Sequence, residues 1–243
     1  MSTESTFIQH LIELRTRIIR IAFVILLFFL MLFRWSADIY QFLALPMLKN
    51  LPLGGQMIAI EVTSPFAVPL KLTLMCAFLL SLPHSLYQIW KFIAPGLYTS
   101  EKHVVIPLIA GSSLLFLLGM SFAYFVVFPT IFHFITHVAP VGVAVMTDIN
   151  RYLDFVLSLF LTFGMTFEVP IVILVLVKSG MVTIKMLTDF RRYMIVFSFV
   201  IAAIVTPPDV LSQIMLAVPI CLLYELGIGT AKLFSPRPEA QGR

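Results

Sequence analysis

Glu168 stands in Phe167-Glu168-Val169-Pro170 with at least eight apolar or small residues on either side of it. An ionised carboxylate costs several kcal/mol in such a setting, so it must face a wet cavity, pair with a partner, or carry a proton. A polar lining for a substrate path and a proton site both fit, and so does a neutral Glu bonded to a neighbouring helix. Two further carboxylates flank apolar runs: Glu101 in the stretch 91–102, and Glu13 in Ile12-Glu13-Leu14-Arg15. A loop carboxylate is ordinarily just solvated. Two of them near one membrane surface can instead take two guanidiniums of a ligand through forked, charge-assisted hydrogen bonds.

Other chemistry is not in evidence. The chain has no H-E-x-x-H and no G-x-S-x-G, and His10, His84, His103, His133 and His137 form no ligand pair at helical spacing inside a span. Cys76 and Cys221 sit alone in apolar stretches, which suits packing rather than a disulfide or a metal. The 12 Met and 23 Phe read as packing and lipid-facing surface. No catalytic residue, cofactor or metal is expected.

The elements that must position these carboxylates are membrane helices. Of 243 residues 60% are hydrophobic and 12% charged, and the mean hydropathy is +1.03, well beyond an ordinary soluble domain. Apolar runs predict spans over Ile18–Phe33 (with Trp35 as an interfacial anchor), Leu70–Trp90, Ile106–Phe128 and Leu153–Val177. Pro83 and Pro170 fall inside two of them and should bend the helix. The first run lacks a small-residue cleavage site and precedes further spans, so it reads as an uncleaved helix.

The last third is shorter in pattern. Tyr193–Val205 has 13 residues and Val210–Leu226 has 17, separated by Thr206-Pro207-Pro208-Asp209. A re-entrant hairpin or two short helices that thin the bilayer would fit; the polar turn favours two short helices. The expected fold is therefore an all-α membrane protein of six transmembrane helices over residues 1–234, the last two short, with a brief tail at 235–243. Outer loops at 37–69 and 129–152 mix prolines, glycines and apolar residues and could form short interfacial helices.

Charge sets the orientation. The net charge of +4 comes from basic residues grouped beside apolar runs, which speaks for topology rather than nucleic acid. Twelve of the 16 Lys and Arg fall at the termini and in loops 91–105 and 178–192; the other face has only Arg34, Lys49, Lys71 and Arg151. The positive-inside rule makes the termini and those two loops cytoplasmic.

Several ordered motifs resemble the TatC family. They are Ser64-Pro65-Phe66 with Lys71-Leu72, Phe92-Ile93-Ala94-Pro95-Gly96-Leu97-Tyr98 with Glu101, and Phe122-Ala123-Tyr124-Phe125. Phe167-Glu168-Val169-Pro170 and Thr206-Pro207-Pro208-Asp209 complete the set, and the likeness begins at His10-Leu11-Ile12-Glu13-Leu14-Arg15. It implies a concave six-helix receptor in the bacterial inner membrane, the core of the twin-arginine translocase. Such a receptor recognises paired-arginine signal peptides on folded cargo, assembles in several copies with TatA-like and TatB-like single-span subunits, and exports the cargo using the proton motive force.

By the same resemblance, Glu13, Arg15, Phe92 and Glu101 match signal-peptide-binding positions, and Glu168 the carboxylate of the family's cavity. Thr206, Asp209 and Gln213 match a partner-docking site, although a capping and solvating role at a helix start would also explain Thr206 and Gln213. A proton-coupled small-solute transporter using Glu168 is the competing class. An intramembrane enzyme has less support.

Overall fold

The computed structural model describes residues 2–41, 57–93, 102–131, 147–206 and 210–234. They form six helices: α1 (Ser2–Leu32), α2 (Ser64–Ile93), α3 (Lys102–Phe122), α4 (Ile149–Lys178), α5 (Ile184–Val205) and α6 (Val210–Phe234). Five helical stretches are long and apolar enough to cross a membrane, namely Ile8–Gln41, Ser64–Ile93, Val105–Ile131, Ile149–Lys178 and Ser212–Leu233. Their outward side chains are themselves apolar, among them Leu30, Ile106 and Phe125, as is the outward Ile204 of α5. Such a surface is compatible with lipid and not with water. The protein is a multi-pass membrane protein.

α5 is the exception in composition. It has 22 residues, but Lys185, Asp189, Arg191 and Arg192 occupy its start and leave a run of 13 residues to Val205, apolar except for Ser198. That apolar part spans about 20 Å against a hydrocarbon core of about 30 Å. α6 has 25 residues, and both are shorter than the 30 of α2 and α4.

Helix ends depart from the ends of the apolar runs, and at the connection between α4 and α5 caps set them. α1 passes through one tighter turn at Phe33–Trp35 and stays helical to Gln41. The expected loop at 178–192 shrinks to 179–183. Gly180 adopts a φ of 72°, closing α4, and the Thr183 hydroxyl accepts from the Met186 amide at 3.3 Å to start α5. α2 runs unbroken through Pro69 and Pro83.

The chain divides into two compact units. The first comprises residues 1–95 and 129–157. Here α1 lies along α2, and Val68, Leu72 and Leu153 form a small core with Ile39, Tyr40, Ile149 and Leu157 around it. Within the two outer loops, where no strand was expected, Met57–Ile58 (β1) and Thr147–Asp148 (β2) pair in parallel. A polar cluster fixes that pairing. Asp148 accepts from the Ile60 amide, and Asn150 donates to Glu61 and Ser64 and accepts from Lys71. The interfacial helices anticipated in these loops fall largely on 42–56 and 132–146, outside the described residues, as does the tail at 235–243.

The second unit comprises residues 96–128 and 158–243. α3 and the end of α4 run antiparallel, with Ser112 facing Glu168, Phe116 against Gly164 and Gly119 against Phe163. Beyond Phe122, α3 widens into a π turn at Ala123–Val127, placing Tyr124 6.3 Å from Phe160 between ring centroids. α5 and α6 form an antiparallel hairpin. Tyr224 donates to the Leu187 carbonyl at 2.8 Å, Arg191 pairs with Glu225 at 2.6 Å, and Ser198 meets Cys221. The core joining them to α4 consists of Ile173, Leu187, Tyr224, Ile228 and Ala231.

Candidate functional site

Glu13 is built into α1 one turn before Arg17, the spacing at which side chains share a helix face. Arg17 donates to Glu13 Oε1 from both Nε, at 3.1 Å, and Nη2. The third nitrogen, Nη1, lies 3.4 Å from both the carbonyl and the side-chain oxygen of Gln88 on α2. Gln88 in turn contacts His84. The Arg17 side chain is only 9% exposed while that of Glu13 is 44% exposed, so the pair has a buried cationic half and an open anionic half.

Phe92 of α2 is half-buried and stacks on the His10 ring at 4.4 Å between centroids. His10 Nδ1 also lies 3.9 Å from Glu13 Oε2. Glu13 and Phe92, which the resemblance groups together, meet through His10. Arg15, singled out with them, is exposed, and it is Arg17 that engages Glu13. The four-residue spacing of Glu13 and Arg17 was visible in the sequence, where Arg17 counted only towards topology. Gln88 and His10 carried no such signal. Glu101 lies outside the described residues.

Glu168 is buried in α4, with 8% of its surface exposed. The Ser112 side chain of α3 faces it, yet neither carboxylate oxygen has a partner at hydrogen-bonding distance among the described residues. Two residues on, Pro170 has no amide to give the Thr166 carbonyl, and the Thr166 hydroxyl bonds back to Thr162 at 2.7 Å. This stretch of α4 therefore places, inside an apolar helix, a carboxylate without a hydrogen-bond partner among the described residues within one turn of a carbonyl that lacks its usual helical amide.

Thr206 closes α5 instead of opening α6. Its amide and hydroxyl both donate to the Ala202 carbonyl, at 2.9 and 2.8 Å, and the side chain is buried. Gln213 is half-buried in the first turn of α6, and Asp209 lies outside the described residues. No group of three or more His, Cys, Asp or Glu among the described residues has metal-site geometry.

The family model for the Sec-independent protein translocase protein (TatC) matches residues 9–219. A Sec-independent protein translocase protein TatC of Haemophilus influenzae is 48% identical over 232 residues, covering 96% of this chain and 91% of the relative. That of Escherichia coli K12 is 47% identical over 236 residues, covering 96% and 92%. A crystal structure described as the twin arginine translocase receptor TatC is similar with a TM-score of 0.81 at 40% identity, over 92% of this chain and 98% of that one. The span of these matches includes α1 to the middle of α6, with Glu13, Phe92, Glu101 and Glu168 inside it, and the chain belongs to the TatC family of Sec-independent protein translocase proteins.

Proposed function

We propose that this chain is the signal-peptide-recognising core subunit of a twin-arginine translocase, a non-enzymatic receptor that exports folded proteins across the bacterial inner membrane. The observation that carries the reading is Glu13, an accessible carboxylate in a family-matched segment, held on one side by a buried guanidinium and flanked by the His10–Phe92 stack. An exposed anionic group beside an aromatic face suits an arginine side chain, which pairs with carboxylates and stacks on rings. Glu101 is the second recognition carboxylate in this reading, and Arg15 adds to the same surface.

Recognition takes place at the cytoplasmic face, where the termini and the basic loops reside. Thr206, Asp209 and Gln213 dock the single-span TatA-like and TatB-like subunits, several copies of the receptor assemble in one complex, and the proton motive force drives transport. Glu168 acts after recognition, as the polar floor entered by the peptide or a partner helix. The residues of 1–234 work as one transmembrane domain, with 235–243 a cytoplasmic tail.

Crosslinking tests this reading. Probes placed beside Glu13 and Glu101, with both carboxylates left in place, should label a peptide carrying paired arginines and label poorly one carrying paired lysines, because an ammonium does not reproduce the guanidinium geometry. Equal labelling of both peptides would count decisively against it.

A further inference from the structure

α1 and α2 do not close on each other along their whole length. Arg17 reaches Gln88, while Ile39 and Tyr40 pack on the core of Val68 and Leu72, so the two helices run antiparallel. Between Arg17 and Ile39 a groove of about 500 Å³ opens, lined by Ala22, Ile25, Leu26 and Phe29 of α1 and by Lys71 and Leu74 of α2. The four α1 residues recur at the spacing of one helix face, over about 10 Å of axis. The lining is apolar except for Lys71, which lies at the end of the groove towards the start of α2. There its ammonium donates to Asn150 at 3.0 Å and to Asp154 at 2.6 Å. An ammonium has three donors, so among the described residues one remains.

An empty groove in a bilayer forfeits the contacts of its walls, and water finds no polar partners along apolar ones. A helix does not fit, because 10 Å of helix about 10–12 Å across takes more room than the groove offers. An acyl chain does fit, and the rim selects its headgroup. Lys71 and Asp154 stand side by side with their side chains 37% and 57% exposed, a cation for a phosphate next to an anion for an amine. Among the described residues of that cluster, the carboxylates of Glu61, Asp148 and Asp154 outnumber the cations Lys71 and Arg151, which disfavours a headgroup of net negative charge. We propose that the groove between α1 and α2 binds one zwitterionic phospholipid. One acyl chain lies along Ala22 to Phe29, the phosphate takes the third donor of Lys71, and the cationic end of the headgroup faces Asp154. The lipid then belongs to the packing of the first unit, whose α1 is the least buried of the long apolar stretches.

The test is a titration of the delipidated full chain in detergent with phosphatidylethanolamine, phosphatidylcholine and phosphatidylglycerol of the same acyl chains, the adducts being counted by native mass spectrometry. The wild type should take up a single tightly held copy of either zwitterionic lipid and bind phosphatidylglycerol about tenfold more weakly, the scale of one charge-assisted contact. Lys71→Gln combined with Asp154→Asn, which leaves the rim uncharged at both positions, should bring the three lipids within about threefold of one another. Ala22→Phe, which fills the groove, should weaken all three by about tenfold or more. Leu26→Trp serves the same purpose if Ala22→Phe does not fold.

Phosphatidylglycerol bound as tightly as the zwitterionic lipids on the wild type overturns the proposal, and so does an undiminished copy on the groove-filling variant. Discrimination that persists in the double variant overturns the role of Lys71 and Asp154, and the headgroup assignment with it. A lipid-free dimer that Ala22→Phe disperses would assign the groove to a second copy of the chain and overturn the proposal as well. Should every variant fail to fold, the wild-type lipid series decides by itself.

Discussion

Gly119 of α3 faces the main-chain carbonyl of Phe163 in α4 so closely that a Cβ at residue 119 would overlap the carbonyl oxygen. Backbone cannot rotate away as a side chain can, so any larger residue must push the helices apart. Between membrane helices, where lipid removes most of the hydrophobic drive to associate, such close approach is itself a source of stability.

Gly119→Ala is therefore expected to destabilise the second unit by about 1–3 kcal/mol, the usual range for overpacking. Gly229 is the control, because a methyl group there would meet nothing within 4 Å among the described residues. Gly229→Ala should be neutral or stabilise by up to about 1 kcal/mol, through helix propensity alone. Unfolding of both variants in detergent, followed by circular dichroism, separates the two outcomes; equal behaviour would remove the close approach as an explanation.

A second prediction concerns the polar cluster at the starts of α2 and α4. Lys71 pairs with Asp154 at 2.6 Å, but both side chains are substantially exposed, and exposed ion pairs contribute about 0–1 kcal/mol. Asn150 is buried and joins Glu61, Ser64 and Lys71. Asp154→Asn should hence change stability by less than about 1 kcal/mol. Asn150→Leu, which strips partners from three polar side chains, should cost about 1–3 kcal/mol. The order of the two unfolding midpoints is the measurement, and a reversed order would refute the assignment.

The short connection between α4 and α5 supplies a third. Thr183→Ala removes the hydroxyl that accepts from the Met186 amide and should cost about 1 kcal/mol. Gly180→Ala meets no neighbour among the described residues, but it places a Cβ at a φ of 72° and should cost about 1–2 kcal/mol. Since the two act on opposite sides of the turn without shared contacts, their effects should add in the double variant within about 0.5 kcal/mol, as read from the three unfolding midpoints.

These cases show what sequence can and cannot carry. The six apolar runs were legible because the bilayer demands long uninterrupted stretches, and the low charge content made Glu168 conspicuous. Helix ends were not legible from hydropathy: α5 begins nine residues before its apolar run because Thr183 caps it there, and the Thr206 hydroxyl turns back onto α5. Around Glu13, that residue and Phe92 could be singled out by type and motif. Their joining through His10, and the anchoring of Arg17 on Gln88 from a residue 71 positions away, depend on how α1 lies on α2. Pairing of β1 with β2 depends on contacts about 90 residues apart, such as Ile60 with Asp148, which no local pattern encodes.

The fourth prediction separates binding from transport at Glu168. A buried carboxylate with neither oxygen hydrogen-bonded among the described residues is costly to keep, so an apolar residue of similar volume should be no less stable there. Glu168→Leu is expected to match or exceed the wild type in unfolding midpoint, and Glu168→Ala to retain binding of a paired-arginine peptide. Both should fail in export of folded cargo, because the acceptor group at that depth is gone. Glu168→Gln, which keeps an oxygen acceptor but no ionisable group, then reports whether polarity alone suffices: export restored in Gln points to a hydrogen-bonding floor, and export lost points to a role for the proton. If a folded Glu168→Ala protein no longer binds the peptide, the division of labour between Glu13 and Glu168 is wrong, since nothing in the second unit would then be reserved for a step after recognition.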